Sequence, residues 1–295
     1  AKAAGGEIIS ADSMQVYKQM DIGTAKIKKE QMQGVTHYMI DEWNPDEEFN
    51  VMIFQKHVKE IMEDIYNRGK IPILVGGTGF YIQAVLNDIA FTKEKQGDEI
   101  RADLQNLAKE KGASYLHHEL QKVDKESAEA IHPNNIKRVI RALEYFQSTG
   151  QKFSDHNKEE RQKGSPYNFL YLVLTMNRKV LYERIDKRVD QMMEEGLVKE
   201  VKQLLDAGYS RNLVSMQGLG YKEIASALFK ECTMEEAVYR LKRDTRHFAK
   251  RQMTWFRRER DVTMINKDNF SNNHEIVNYI MKLAVEKGIC SCREG

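Results

Sequence analysis

Apolar and polar positions follow two different periods along this chain, and the switches between them mark its elements. Short apolar runs bounded by turn residues stand at residues 7–10 (E-I-I-S, after a Gly-Gly pair), 37–41 (H-Y-M-I-D), 71–75 (I-P-I-L-V), 167–176 and 262–266. Runs of this length and composition read as strands. The run 71–75 is apolar throughout, the pattern of a parallel strand buried on both faces. Elsewhere the period is helical. Phe54, Val58, Ile61, Met62 and Ile65 form one stripe in residues 51–68, which Gly69 and Pro72 close. Val180, Leu181, Ile185, Val189, Met192 and Met193 give residues 178–195 a second stripe, expected to be core. Residues 234–258 read as one long helix, with Glu235 and Glu236 in the first turn as its dipole favours. Residues 1–6 read as the end of a helix, which predicts an earlier strand and helix upstream.

Between residues 87 and 164 the strands vanish and charge rises, with helices predicted over 98–111, 114–123, 125–131 and 135–148. The predicted architecture is α/β. Residues 1–90 and 165–295 form a parallel-sheet core, and residues 91–164 form a mostly helical insertion domain.

Composition narrows the class. With 41% hydrophobic and 31% charged residues the chain is a globular protein and not a disordered one. No apolar run approaches the ~20 residues of a membrane span, and the start carries no signal-peptide pattern. Three cysteines, Cys232, Cys290 and Cys292, fit a reduced, cytoplasmic setting. Cys290-Ser291-Cys292 has no partner pair, so no metal role is expected of it and no metal ligands are assigned.

The net charge of +2 hides a strong local bias: residues 240–260 hold nine cations against two acids. Such a block on one helix points to an anionic partner. Lys137, Arg138 and Arg141 can share a helix face, either as a binding surface or as a solvated face with Glu144 as partner.

The candidate chemistry begins at Asp12. It falls just past the carboxyl end of the first predicted strand, where ligands gather in open α/β sheets. A carboxylate there, followed by Ser13, Gln15 and Tyr17, can serve as a general base with polar neighbours, or simply cap a strand-to-helix turn. Asp21 to Lys26 (D-I-G-T-A-K) supplies a glycine, a hydroxyl and a cation, a combination suited to a loop near phosphates. Gly76-Gly77-Thr78-Gly79 follows a strand but lacks the spacing of a dinucleotide fingerprint. Arg184 and Arg188 lie one turn apart, with Asp186 and Asp190 as available partners.

Six separated blocks carry a resemblance: D-S-M-Q-V-Y-K-x-M-D-I-G-T-A-K from Asp12, G-G-T-G-x-Y from Gly76, I-H-P-N-N-x-x-R-V-x-R-A-L-E from Ile131, R-I-D-x-R-V from Arg184, S-M-Q-G-L-G-Y-K from Ser215 and K-R-Q-M-T-W-F-R from Lys250. In this order they resemble the tRNA dimethylallyltransferase (tRNA isopentenyltransferase) family over nearly the whole chain. The resemblance implies a P-loop NTPase-like core and transfer of a dimethylallyl group from dimethylallyl diphosphate to N6 of the adenosine 3′ of the anticodon, tRNA position 37. It also implies Mg²⁺, the tRNA anticodon stem-loop as partner of the helical insertion, no membrane, and a cytoplasmic monomer.

By the same resemblance Asp12, Arg101 and Thr78 are catalytic, and Arg188 and Arg138 meet the donor diphosphate. The tRNA-contacting set is Asp12, Ser13, Met14, Gln15, Thr78, Arg101, Lys137, Arg138, Val139, Ile140, Arg141, Gln217, Gly218, Leu219, Gly220, Tyr221, Lys222, Lys250, Arg251, Gln252, Met253, Thr254, Trp255, Phe256 and Arg257. Cations interleaved with Trp255 and Phe256 suit phosphate contacts plus base stacking, or a helix with its aromatics in the core. The family's P-loop, G-x-x-x-x-G-K-[ST], does not occur in these 295 residues and is expected upstream. Two other readings stay open. One is an adenylate isopentenyltransferase, which needs neither the insertion nor K-R-Q-M-T-W-F-R. The other is an RNA-binding relative without catalysis.

Overall fold

A computed structural model of the chain describes residues 1–91 and 97–291. It divides into two compact units, Ala1–Leu86 with Tyr167–Gly295, and Asn87–Pro166.

The first unit is built on parallel strands. β1 (Gly6–Ser10) lies between β2 (His37–Tyr38) and β3 (Ile71–Val75), in register from Gly6 opposite Ile71 to Ser10 opposite Val75. A second parallel pair joins β4 (Tyr171–Thr175) to β5 (Val262–Asn266). Residues 1–6 turn into β1 with Gly6 N–H bonded to Ala1 C=O and Gly5 N–H to Lys2 C=O, the hydrogen bonding of a helix C-terminus. β2 stops at Tyr38, short of the predicted Asp41. Met39 and Asp41 take positive φ (61° and 58°), which ends the extended run. β3 is not buried on both faces as its composition predicts: Val75 is 51% exposed and its other residues are half-buried. β4 likewise begins at Tyr171, not at Tyr167.

Helices cover this framework. α1 (Val51–Asn67), capped by the Asn50 side chain on the Met52 and Ile53 N–H groups, buries Phe54, Val58, Met62 and Ile65. α2 (Gly79–Leu86) follows β3 directly. In the second unit, α3 (Gly97–Lys111), α4 (Ala113–Val123), α5 (Lys125–Ala130), α6 (Ile136–Thr149) and α7 (Phe153–Gln162) close around Leu104, Leu116, Leu120, Ile131, Val139, Ile140 and Leu143. The charged composition of α7 conceals it from a hydrophobic-period reading. Asp124 joins three of its segments by accepting from the Ser127 N–H and hydroxyl and from the Ser154 N–H.

The first unit continues with α8 (Arg178–Glu195), α9 (Leu197–Asp206), α10 (Tyr221–Leu228), α11 (Met234–Phe256) and α12 (Asn273–Glu286). The stripe expected to make α8 a core helix is weaker than its sequence suggests, because Val189 alone is fully buried and Val180 is 43% exposed. The core instead gathers β1, α1, α9 and α10, with Ile9, Val16, Phe54, Val58, Leu197, Val201, Leu204, Tyr221 and Ile224.

One charged group lies in the floor of the sheet. Glu7 of β1 is 3% exposed and receives both terminal nitrogens of Arg68 at 2.7 Å, the Lys70 ammonium and the Tyr38 hydroxyl at 2.9 Å. Hydrogen bonds from Arg68, then Lys70, hold its carboxyl well below the ordinary value of 4.5. A carboxyl depressed by folding stabilises the native state above the unfolded-state pKa and loses that contribution as the pH falls through the folded one. Glu7→Gln is therefore expected to melt below the wild type at pH 7, with the gap narrowing as the pH drops below 4.5. Thermal melts at stepped pH check this.

Candidate active site

Asp12 stands two residues past β1, where the strand ends and the chain turns. Its Oδ1 accepts the N–H of Met14 at 2.8 Å and of Gln15 at 3.4 Å, so one carboxylate oxygen fixes the turn. The other oxygen has no partner among the described residues. Burial pushes the carboxyl pKa up, against the two N–H bonds that pull it down. A carboxylate held rigidly through one oxygen, with the second free and its basicity raised, has the geometry of a general base.

The turn after β3 comes to meet it. Ala11 N–H bonds to Val75 C=O at 2.8 Å, and Thr78 N–H to Ala11 C=O at 3.2 Å. Thr78 Oγ1 accepts the Ser13 N–H at 3.2 Å and lies 3.4 Å from the Ser13 hydroxyl. So close an approach excludes side chains at the turn: a Cβ on Gly76 would sit 2.3 Å from the Ala11 carbonyl oxygen. α11 packs from the other side. Gln252 Nε2 donates to Gly77 C=O at 2.9 Å, and a Cβ on Gly79 would lie 2.3 Å from the Trp255 indole. Trp255 also meets Phe80 edge-on, with ring centroids 6.3 Å apart. At 36% exposure it is neither wholly core nor wholly free.

The S-M-Q-G-L-G-Y segment completes the cluster. Gly218 packs on the Met14 methyl, and Gly23 packs on the Tyr221 ring, at distances that leave no space for a Cβ. Four of the six sequence blocks therefore interlock in the first unit around Asp12.

The loop Asp21 to Lys26 is occupied internally, and its expected phosphate role is corrected. Glu200 of α9, 8% exposed, takes the N–H groups of Asp21, Ile22 and Gly23 at 3.0, 2.8 and 3.1 Å, and the Tyr221 hydroxyl at 2.6 Å. Lys26 is buried against Asp21, Asp41 and the Tyr17 carbonyl. Neither the backbone donors nor the cation are free to meet an anion. Burial, then the Glu200 charge, pushes the Tyr221 phenol far up, so it stays a neutral donor. Sequence reasoning missed Glu200, yet its position was a signal: a charge set among Leu197, Val201 and Leu204 on the apolar face of α9.

Other predicted residues divide by exposure. Arg188 on α8 is exposed and unpaired among the described residues. Asp186 and Asp190 do not pair with Arg184 or Arg188. They bind Arg246 and Lys242 of α11, which lies alongside α8. Lys222, Lys250, Thr254, Arg251 and Arg257 are exposed or half-buried, Met253 and Leu219 are half-buried, and Gln217 bonds to the Arg211 carbonyl.

In the second unit, α6 exposes Lys137 and Arg138, while Arg101 of α3 docks on buried Glu144 through Nη2 at 2.8 and 3.1 Å and Nε at 3.3 Å. Arg141 joins the same carboxylate at 3.4 Å, so Glu144 is a shared anchor. Val139, Ile140, Tyr221 and Phe256 correct the sequence expectation of RNA-contacting side chains: these are core groups, 8% exposed or less. Cys292 lies outside the described residues, and Cys232 and Cys290 are free thiols.

A parallel-sheet α/β core with a carboxylate at a strand's carboxyl end, ringed by glycine turns and the end of a basic helix, has the arrangement of a site that can accept a proton from a bound substrate. Residues 15–259 match the IPP transferase family. The chain is 58% identical over 289 residues to a tRNA dimethylallyltransferase of Lachnoclostridium phytofermentans, covering 98% of this chain and 92% of that protein. It is 50% identical to one of Acetivibrio thermocellus, over 94% of this chain and 88% of the other. Among solved structures it resembles the full-length tRNA isopentenylpyrophosphate transferase of Bacillus halodurans (45% identity, TM-score 0.72, 98% and 91% of the two chains covered). It also resembles a eukaryotic dimethylallyltransferase captured acting on tRNA (28% identity, TM-score 0.81, 100% and 76% covered). The chain belongs to the IPP transferase family, and its core is the P-loop NTPase-like parallel sheet that the family resemblance implies.

Removing the Glu200 side chain strands three backbone donors and a phenol. Each buried donor left without a partner costs about 1–3 kcal/mol. Glu200→Ala is expected to lose several kcal/mol in denaturant unfolding, and Glu200→Gln, which keeps one acceptor oxygen, to lose less.

Proposed function

We propose that this chain transfers a dimethylallyl group from dimethylallyl diphosphate to N6 of the adenosine 3′ of a tRNA anticodon. The observation that carries the reading is the free oxygen of Asp12, held at the meeting point of four sequence blocks of a tRNA dimethylallyltransferase. An exocyclic adenine amine is a weak nucleophile, so a base placed to take its proton lowers the barrier as the C–N bond forms. In the proposed step N6 attacks the allylic carbon, the bond from that carbon to the diphosphate oxygen breaks, and the N6 proton passes to Asp12.

Negative charge builds on the departing diphosphate, and Arg188 and Arg138 are the guanidinium groups assigned to it. Thr78 and Ser13 orient the acceptor base, which must leave the anticodon stack to be reached. Arg101, fixed by Glu144, is assigned to substrate from the helical unit, and that unit is proposed to hold the stem-loop. Exposed Lys137, Arg251 and Arg257 supply phosphate contacts, and the open face of Trp255 a stacking surface.

The resemblance implies Mg²⁺ with the diphosphate. Among the described residues no three His, Cys, Asp or Glu side chains converge to hold a metal ion. These residues form no protein cage for it. Among the described residues no helix is long and apolar enough to cross a membrane. The cytoplasm is proposed as the setting from the tRNA substrate.

Asp12→Ala is expected to lower single-turnover transfer to an unmodified anticodon stem-loop by about 10²–10⁴-fold while RNA binding persists. Transfer at the wild-type rate removes Asp12 from the chemistry, and transfer to AMP in place of RNA makes the protein a free-nucleotide enzyme. A parallel assay without the stem-loop separates these results.

A further inference from the structure

A groove of about 600 Å³ lies between α8 and α11, lined by Arg178, Lys179, Tyr182 and Asp186 on one wall and by Arg243, Arg246 and Lys250 on the other, with Glu183 and His247 beside them. It is distinct from the site described above. At roughly 100° per residue, Arg188 points about 135° around α8 from the mean direction of its four wall residues, and Gln252 about 155° around α11 from that of its three. The donor-side arginine and the residue that grips the Gly77 turn both face away.

Five cations line the groove against two acids. Asp186 is taken by Arg246, and Arg243 pairs with Asp244. Arg178, Lys179 and Lys250 have no acidic partner among the described residues, and Glu183 is the acid left over. The α11 wall also continues beyond the groove. Arg243, Arg246, Lys250 and Arg257 fall within roughly 60° of arc over 14 residues, a stripe about 21 Å long. Its far end is Arg257, one of the proposed phosphate contacts.

We propose that this groove is an additional seat for the phosphodiester backbone of the tRNA substrate, with Arg178 and Lys179 as phosphate ligands outside the site that carries the chemistry. The proposal rests on the tRNA reading above. A stripe of like charges longer than one phosphate group, opening into a groove with unpaired cations on its second wall, matches a chain of repeating anions better than a single small anion.

The test is the salt dependence of binding of an unmodified tRNA transcript to the full-length protein. Each phosphate contact removed lowers the log–log slope by about one. Arg178→Gln/Lys179→Gln is expected to lower it by about two with an unchanged melting temperature. Lys250→Gln, an independent change to the unpaired cation of the opposite wall, is expected to lower it by about one. Lys202→Gln, which removes an exposed cation paired with Asp206 on α9, is expected to leave it unchanged. If the wild type binds and modifies tRNA and Arg251→Gln lowers the slope, but the groove variants on both walls keep the wild-type slope, the groove assignment is overturned and the proposed function stands. If the wild type neither binds nor modifies tRNA, both fall.

Discussion

Three successive backbone N–H groups, those of Asp21, Ile22 and Gly23, converge on the Glu200 carboxylate, which also takes the Tyr221 hydroxyl. This one side chain ties the loop after β1 to α9 and to the start of α10. The stretch from Asp12 to Lys26 has no regular structure of its own, so its shape has to come from groups outside it. Glu200 fixes its far end. Asp12 fixes its near end through Met14 and Gln15, and Gln15 Nε2 spans the middle by donating to the Thr24 carbonyl at 3.2 Å. With both ends seated, the free oxygen of Asp12 is aimed by the backbone and not by its own rotamer alone. That is the preorganisation a proton acceptor needs.

Small residues make the rest of the site possible. The β3–α2 turn reaches Ala11 because Gly76 has no side chain, and Trp255 settles against α2 because Gly79 has none. These contacts bring the last turns of α11 to the carboxyl edge of the sheet, so a helix whose composition points to an anionic partner ends beside the carboxylate proposed for the chemistry. The opposite arrangement holds along α8 and α11, where Asp186 and Asp190 are spent on Arg246 and Lys242. Those pairs join the two helices and leave other cations of both facing solvent.

Much of this was legible in the sequence, where hydrophobic period and punctuation carry the information. The bounds of β5 and α8 agree with the predicted residues 262–266 and 178–195, and α1 ends one residue early. Asp12 was legible because an apolar run ends abruptly in a carboxylate. Composition misled where it stands for burial. Ile71 to Val75 is apolar throughout yet only partly buried, with Val75 the exposed end, and Val180 belongs to a stripe but faces outward. The partners of polar groups were the least legible. Asp21 to Lys26 has the residues of an anion loop, and only the fold shows that a carboxylate 177 residues further on already fills it. Arg184 and Asp186 sit within one helix, but the partner that wins is Arg246, 60 residues away, because α11 packs alongside α8. Local spacing cannot rank a neighbour in sequence against one delivered by packing.

The central claim is that Asp12 accepts the proton of the attacking amine. The most direct measurement is the pH dependence of single-turnover transfer by the wild type and by Asp12→Asn. A base works only when ionised, and burial raises this carboxyl above the ordinary aspartate value of 3.8. The wild-type rate should therefore fall on the acid side through a single ionisation above that value. Asp12→Asn should be slow at every pH and lack that limb. An acid limb that survives unchanged in Asp12→Asn would contradict the account, because the ionisation would then belong to another group.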